Sequence, residues 1–328
     1  MKPIADIELP AQRRTASTAI KAVWDSAAMA IIFGLLFIIS SIMVPDFLSP
    51  VNMRGLALAV VQVGVVSCTM LFCLASGDFD LSPGAVVALA GVVAAVVTNK
   101  TGNVVMGMAA GVGAGGIVGY INGFVIARLG ISAMIATLAT QQIARGLTFI
   151  SSNGSAVGVS NDAFYKLGNT QFIGVPLPVW VMAACFLLFG FMLNRTIFGR
   201  NVLAIGGNSE AAKLAGIDVA RTRVIIFTLM GIAGGFAGII LASQMTSGQP
   251  NEGMGLELRV ISACVLGGVS LTGGVGTMFG VIIGVLIMGT VQNVMNLLNI
   301  QPFWQYVVSG LVLLAAVLLD RLKNRATV

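Results

Sequence analysis

The chain has 328 residues, of which 57% are apolar, 41 are glycine and only 9% are charged. A soluble domain carries roughly 25% charged residues, so a large soluble enzyme is excluded for want of polar surface, and the bulk of the chain belongs in lipid. Histidine is absent and the net charge is +6; histidine metal centres, serine–histidine and cysteine–histidine dyads and histidine proton relays are all ruled out.

The basic residues are scattered through short polar segments rather than gathered in a stripe, which points to membrane orientation and not to nucleic acid. Cys68, Cys73, Cys185 and Cys264 lie in apolar runs and read as reduced thiols packed as small hydrophobes. No nucleophile with a base and no metal constellation is evident, so no catalytic residue, metal ligand or cofactor site is assigned.

Residues 1–24 hold prolines and acids without an apolar run or a cleavage site, and are expected to form a cytoplasmic tail. Apolar stretches able to cross about 30 Å of hydrocarbon follow at 25–44, 56–76, 84–99, 103–127, 131–151, 177–193, 223–243, 258–274, 276–298 and 303–319. The expected fold is therefore an all-α integral membrane protein of about ten spans, one transmembrane domain over 25–319, with a short cytoplasmic tail at 320–328. With the amino terminus inside, the basic residues of both tails, Arg128 and the loop 194–223 fall inside, against Arg54, Lys100 and Lys166 outside. That bias predicts that both termini are cytoplasmic.

Gly107, Gly111, Gly115, Gly119 and Gly123 recur at every fourth residue of the fourth span, and Gly276, Gly280 and Gly284 repeat the pattern in the ninth. Such ladders let helix backbones approach closely, which favours packing within the chain over a dimer interface. Gly111, Gly113 and Gly116 also satisfy G-x-G-x-x-G, but no strand precedes them and no acid follows before Asp162, so the dinucleotide reading fails. No lysine follows a glycine, which removes a P-loop.

Between the second and third spans, Gly77-Asp78-Phe79-Asp80-Leu81-Ser82-Pro83-Gly84 breaks the chain, with Ser82 placed to cap the helix that follows. Asp78 and Asp80 either line a hydrophilic vestibule or bond backbone N–H groups in a tight turn. Gln62, Asn122, Gln141, Gln142, Gln292, Asn293 and Asn296 are amides at membrane depth, suited to a neutral polyhydroxylated ligand or to helix-to-helix hydrogen bonds. Arg145 needs an acid, for which Asp80 and Glu257 are the nominees. Glu257 and Arg259 precede the eighth span as the break precedes the third. Spans two to five and seven to ten then read as an inverted repeat.

In the loop 194–223, Gly206-Gly207 precedes Asn208 or Ser209 as N-cap, Glu210 suits the first turn, and Gly216 is a C′ stop. This predicts a short helix over 208–216 (Asn208, Ser209, Glu210, Ala211, Ala212, Lys213, Leu214, Ala215, Gly216), flanked by Arg200, Arg221 and Arg223. A helix this short is marginal in water. Its apolar face of Ala212, Leu214, Ala215 and Ile217 packs either on the chain's own spans or in the groove of a cytoplasmic partner.

Four blocks, GDFDLSPG (77–84), GYINGFVIARLGISAMIATLAT (119–140), FGRNVLAIGGNSEAAKLAGIDVARTR (198–223) and VLGGVSLTGGVGTMFGVIIG (265–284), resemble the permeases of bacterial carbohydrate ABC importers. The likeness is to the branch handling ribose, xylose, galactose and arabinose, and is strongest to its L-arabinose members. It covers most of 45–320; Pro83, where valine is commoner, is a minor departure. The resemblance implies a multi-pass inner-membrane subunit importing a monosaccharide, with two permease copies lining a shared path. It also implies a periplasmic sugar-binding protein, a separate ATPase with two nucleotide domains, and a coupling role for 208–216. Path candidates are Gln62, Asp78, Asp80, Asn122, Gln141, Gln292, Asn293 and Asn296. The competing reading is a stand-alone secondary sugar transporter or facilitator, which usually needs acids or histidine within its spans.

Overall fold

A computed structural model of the chain describes residues 14–325. In chain order its helices are α1 (Arg14–Met43), α2 (Pro50–Ala75), α3 (Pro83–Thr101), α4 (Val104–Leu129), α5 (Ala133–Ser152), α6 (Asp162–Asn169), α7 (Leu177–Arg195), α8 (Ile197–Gly207), α9 (Ser209–Leu214), α10 (Val219–Gln244), α11 (Leu256–Leu266), α12 (Met278–Leu297) and α13 (Pro302–Arg325). Among the described residues, six of these, α2, α3, α4, α7, α10 and α12, are long and apolar enough to cross a membrane. Two short antiparallel ladders decorate the helices: β1 (Val157–Gly158) pairs with β4 (Ser247–Gly248), and β2 (Gln171–Phe172) with β3 (Val175–Pro176).

Several boundaries differ from expectation. Helix α1 starts at Arg14, inside the expected tail 1–24, and residues 1–13 lie outside the described part; α13 likewise runs to Arg325, through most of the expected tail 320–328. The third segment is a full helix of 19 residues, whereas the eighth is helical for only 11, ending at Leu266. The cause lies in 267–277, where Gly268, Gly273 and Gly274 take φ of +83°, +88° and +79°, a conformation that ends a helix. Side-chain caps set several starts: Asn103 Oδ1 accepts from the N–H groups of Val105 and Met106, and Thr277 Oγ1 from that of Gly280.

Helix α2 is buried along most of its length, and α4 and α10 cross each other through their glycines. Gly107 and Gly111 of α4 lie against the carbonyls of Ala94 and Ala90 on α3, while Gly115, Gly119 and Gly123 lie against α10 at Gly231, Phe227 and Val224. Helix α10 answers with small residues of its own: a Cβ at Gly235 would stand 2.9 Å from Val112 Cα. In α12, Gly280 and Gly284 sit on the backbone of Gly267 and Ala263, and Gly276, just ahead of the helix, on the side chain of Leu71. Both ladders thus make contacts within the chain. The four cysteines are free thiols, with Cys68, Cys73 and Cys264 buried.

A Cβ at Gly119 would run into the Phe227 carbonyl and stand 3.0 Å from Gly231 Cα, while one at Gly113 meets nothing within 4 Å. Gly119→Ala should therefore destabilise the protein by about 1–3 kcal/mol, and Gly113→Ala should leave it unchanged or slightly steadier. Thermal unfolding of the two variants in the same detergent checks the contrast.

Candidate functional site

The polar residues gather in three places, the first being the end of the bundle that carries α8 and α9. Asn208 caps α9, its Oδ1 accepting from Ala211 N–H at 3.0 Å. Gly216 closes the helix at φ +85°, with Gly216 N–H donating to Lys213 and Ile217 N–H to Ala212. The apolar face expected here divides: Ala212 is buried against the chain, whereas Leu214 is 90% exposed. Helix α8, which was not foreseen, holds α9 in place by laying Gly206 on the Ala75 carbonyl and on Gly274, and Gly274 N–H donates to Ala75 at 2.9 Å.

Arg200 and Arg221 face solvent, but Arg223 turns inward and sets its Nε 2.8 Å from Asp78 Oδ2. Its N–H is not aligned on the oxygen, so the pair rests on charge. Two cavities open on either side of Arg223, one of about 400 Å³ edged by Ser209, Glu210, Lys213 and Asp218, the other of about 390 Å³ edged by Asp78, Ile131 and Ser132.

Inside this pair lies the break 76–82. Asp80 Oδ1 accepts from Ser82 N–H at 2.8 Å and from Ser82 Oγ at 2.6 Å, and Asn122 Nδ2 donates to Ser82 Oγ at 3.1 Å. Ser82 therefore makes no side-chain cap on α3, the role first assigned to it, because its hydroxyl serves Asp80 and Asn122. Burial pushes the Asp80 carboxyl up to about 6, against the hydrogen bonds from Ser82. Asp78 is also raised by burial, with Arg223 acting in the opposite direction. Asp80 bonds backbone in a turn, while Asp78 stands at the edge of a cavity. Asn122 is fully buried, its Oδ1 without a partner among the described residues.

The second group joins α5 to the start of α11. Gly84, at the start of α3, lies backbone to backbone against Gly253, just ahead of α11. Beside that contact Glu257 Oε1 accepts from Gln141 Nε2 at 3.3 Å, while its Oε2 is buried and unpartnered among the described residues. Arg145 corrects the expectation of an acid partner. Its guanidinium donates to the carbonyls of Pro250 and Glu252 at 2.7 and 2.8 Å, since the irregular segment there offers free backbone acceptors.

The third group lies between α2, α12 and α13. Asn293 and Asn52 exchange amide hydrogen bonds at 2.7 and 3.0 Å, and Asn296 Oδ1 accepts from Gln305 Nε2 at 2.6 Å. Gln292 and Gln62 are half-buried. The candidates thus occupy three sites rather than one continuous lining. Asn52 and Gln305 were missed, and Ser82 was read only as a cap, because no spacing in the sequence marks partners that lie on separate elements.

Removing Arg223, which is half-buried, leaves the buried Asp78 carboxylate uncompensated, so Asp78→Asn and Arg223→Gln should each destabilise the fold, and the double variant should cost less than the sum by about 0.5–3 kcal/mol. A double-mutant cycle on thermal or denaturant unfolding measures that interaction; strict additivity would mean the two groups do not interact.

Residues 52–317 match the family described as "Branched-chain amino acid transport system / permease component". The chain is 57% identical over 93% of its length, and 93% of the relative's, to the L-arabinose transport system permease protein of Escherichia coli (strain K12). It is 51% identical to the L-arabinose ABC transporter permease protein of Azospirillum brasilense, covering 92% of this chain and 88% of the relative. Against the ribose import permease protein of Bacillus subtilis (strain 168) the identity is 41%, covering 88% and 91% of the two chains. The helix bundle, its glycine contacts and these matches lead to one conclusion: the chain belongs to this family of permease components and is a multi-pass membrane transport subunit.

Proposed function

We propose that the chain is the permease subunit of an ATP-driven ABC importer that carries a monosaccharide, L-arabinose, across the bacterial inner membrane. The observation that carries the reading is the match over 93% of the chain to a relative named for L-arabinose transport. The subunit is not an enzyme; with no P-loop of its own, it takes its energy from a separate cytoplasmic ATPase with two nucleotide domains. A second permease copy and a periplasmic sugar-binding protein complete the importer. Gln142, exposed on α5 beside Ile143, supports the second copy, because an outward amide at membrane depth is costly against lipid.

The topology that fits is ten spans, formed by α1 to α5, α7 and α10 to α13, with both termini in the cytoplasm. Spans α2–α5 and α10–α13 form an inverted repeat, and the contact of Gly84 with Gly253 supports it, since it sets the starts of α3 and α11 against each other. In this reading α9 is the coupling helix. Exposed Leu214 engages a groove of the ATPase, and the displacement passes through Arg223 to Asp78 and the break that opens α3.

Purified permease reconstituted alone should not move L-arabinose down its gradient, while the complete complex should accumulate it only with ATP. Appreciable flux through the lone subunit would establish the facilitator reading instead. Leu214→Arg should leave the permease inserted in the membrane but stop its co-purification with the ATPase; an intact complex would remove α9 from the coupling role.

A further inference from the structure

Arg259 has no role in any of the contacts described above. It ends the first turn of α11, where a cation opposes the helix dipole, and it lies in an apolar bundle where a charged side chain is costly. Glu257 is two residues away on the same helix, and its carboxylate is turned to Gln141 on α5. Among the described residues, the guanidinium of Arg259 has no ion pair and no hydrogen bond. An ionised donor kept in such a place implies an acceptor that arrives from outside.

What faces Arg259 is a cavity of about 240 Å³ between α11, α12 and α13, lined by Gln292, Gln305, Tyr306 and Ser309 as well. Gln305 is oriented by Asn296, which accepts one of its amide hydrogens at 2.6 Å and leaves its carbonyl free. The other polar groups of the wall make no side-chain hydrogen bond among the described residues. Pockets for drug-sized ligands measure roughly 300–1,000 Å³, so this smaller space suits a single small ring.

We propose that this cavity is a binding subsite for a monosaccharide, with Arg259 donating a pair of hydrogen bonds to adjacent hydroxyls. Gln292, Gln305 and Ser309 donate to and accept from the remaining hydroxyls, and the Tyr306 ring covers the C–H face of the sugar. A phosphate or an anionic lipid headgroup is the weaker fit, because one cation among four neutral polar groups leaves much of its charge unmatched. The subsite rests on the importer reading and adds to it a place where the permease itself contacts the sugar.

The test uses the complete importer in proteoliposomes with Met254→Cys, a substitution in the apolar part of the cavity wall. The parent protein, whose Cys68, Cys73 and Cys264 are buried, supplies the labelling blank. L-arabinose should slow alkylation of the introduced thiol by a water-soluble maleimide by about tenfold at ten times its half-protecting concentration. Adding Arg259→Gln or, separately, Gln292→Leu should raise that concentration by about tenfold for the arginine and less for the amide, with Arg259→Lys in between. Active uptake with no protection would overturn the subsite and leave the importer reading standing. Protection by phosphatidylglycerol but not by sugar would also overturn it. Absence of ATP-dependent uptake of any aldose by the parent complex would instead overturn the importer reading.

Discussion

Close contact between helix backbones is the condition on which the rest of this protein depends. In lipid, apolar side chains gain little by leaving one neighbour for another, so helices associate through van der Waals contact and the hydrogen bonds it permits. Glycine removes the side chain from the interface and brings α4 within contact of α3 and α10, and α12 within contact of α11. The same closeness shields the irregular segments 76–82 and 245–255, which would be untenable against lipid because their backbone groups lack helical partners. Where Gly84 meets Gly253, two such segments support each other.

Once shielded, the irregular backbone becomes the place where polar chemistry is kept. Carbonyls freed from helices bind Arg145, the turn before α3 holds Asp80 through Ser82, and Asn122 reaches into that turn from α4. Asp78 stands at the outer edge of this network and pairs with Arg223, the first charged residue that α10 turns inward after the exposed α8–α9 loop. A short, well-capped surface helix is thereby joined through α10 and one ion pair to the start of a buried helix.

The features legible in the sequence were those that depend on neighbours along the chain. The helix at α9 could be read from Asn208, Glu210 and Gly216 because caps and dipole preferences are local. The ladders of α4 and α12 could be read because helical period alone puts every fourth residue on nearly one face. Boundaries failed where a local signal was weak: α1 begins at Arg14 in a polar stretch without a clear start, and α8 occupies a glycine-rich, arginine-bearing segment that reads as loop. Ser82 failed differently. It is a good cap by type, but two partners, one of them 40 positions away, claim its hydroxyl.

By itself the sequence determined the class of protein: too few charges for a soluble surface, apolar stretches of spanning length, glycine at helical spacing and the blocks that mark the permease family. These follow from composition and period, which need no knowledge of what lies opposite. Only the tertiary structure decided what each polar residue does. It set Asn293 against Asn52, Asp78 against Arg223 and Gln141 against Glu257, while it left Arg259 facing a cavity. The reason is that a buried polar group is defined by its partner, and in a helical bundle that partner comes from another helix, at a separation that no local pattern encodes.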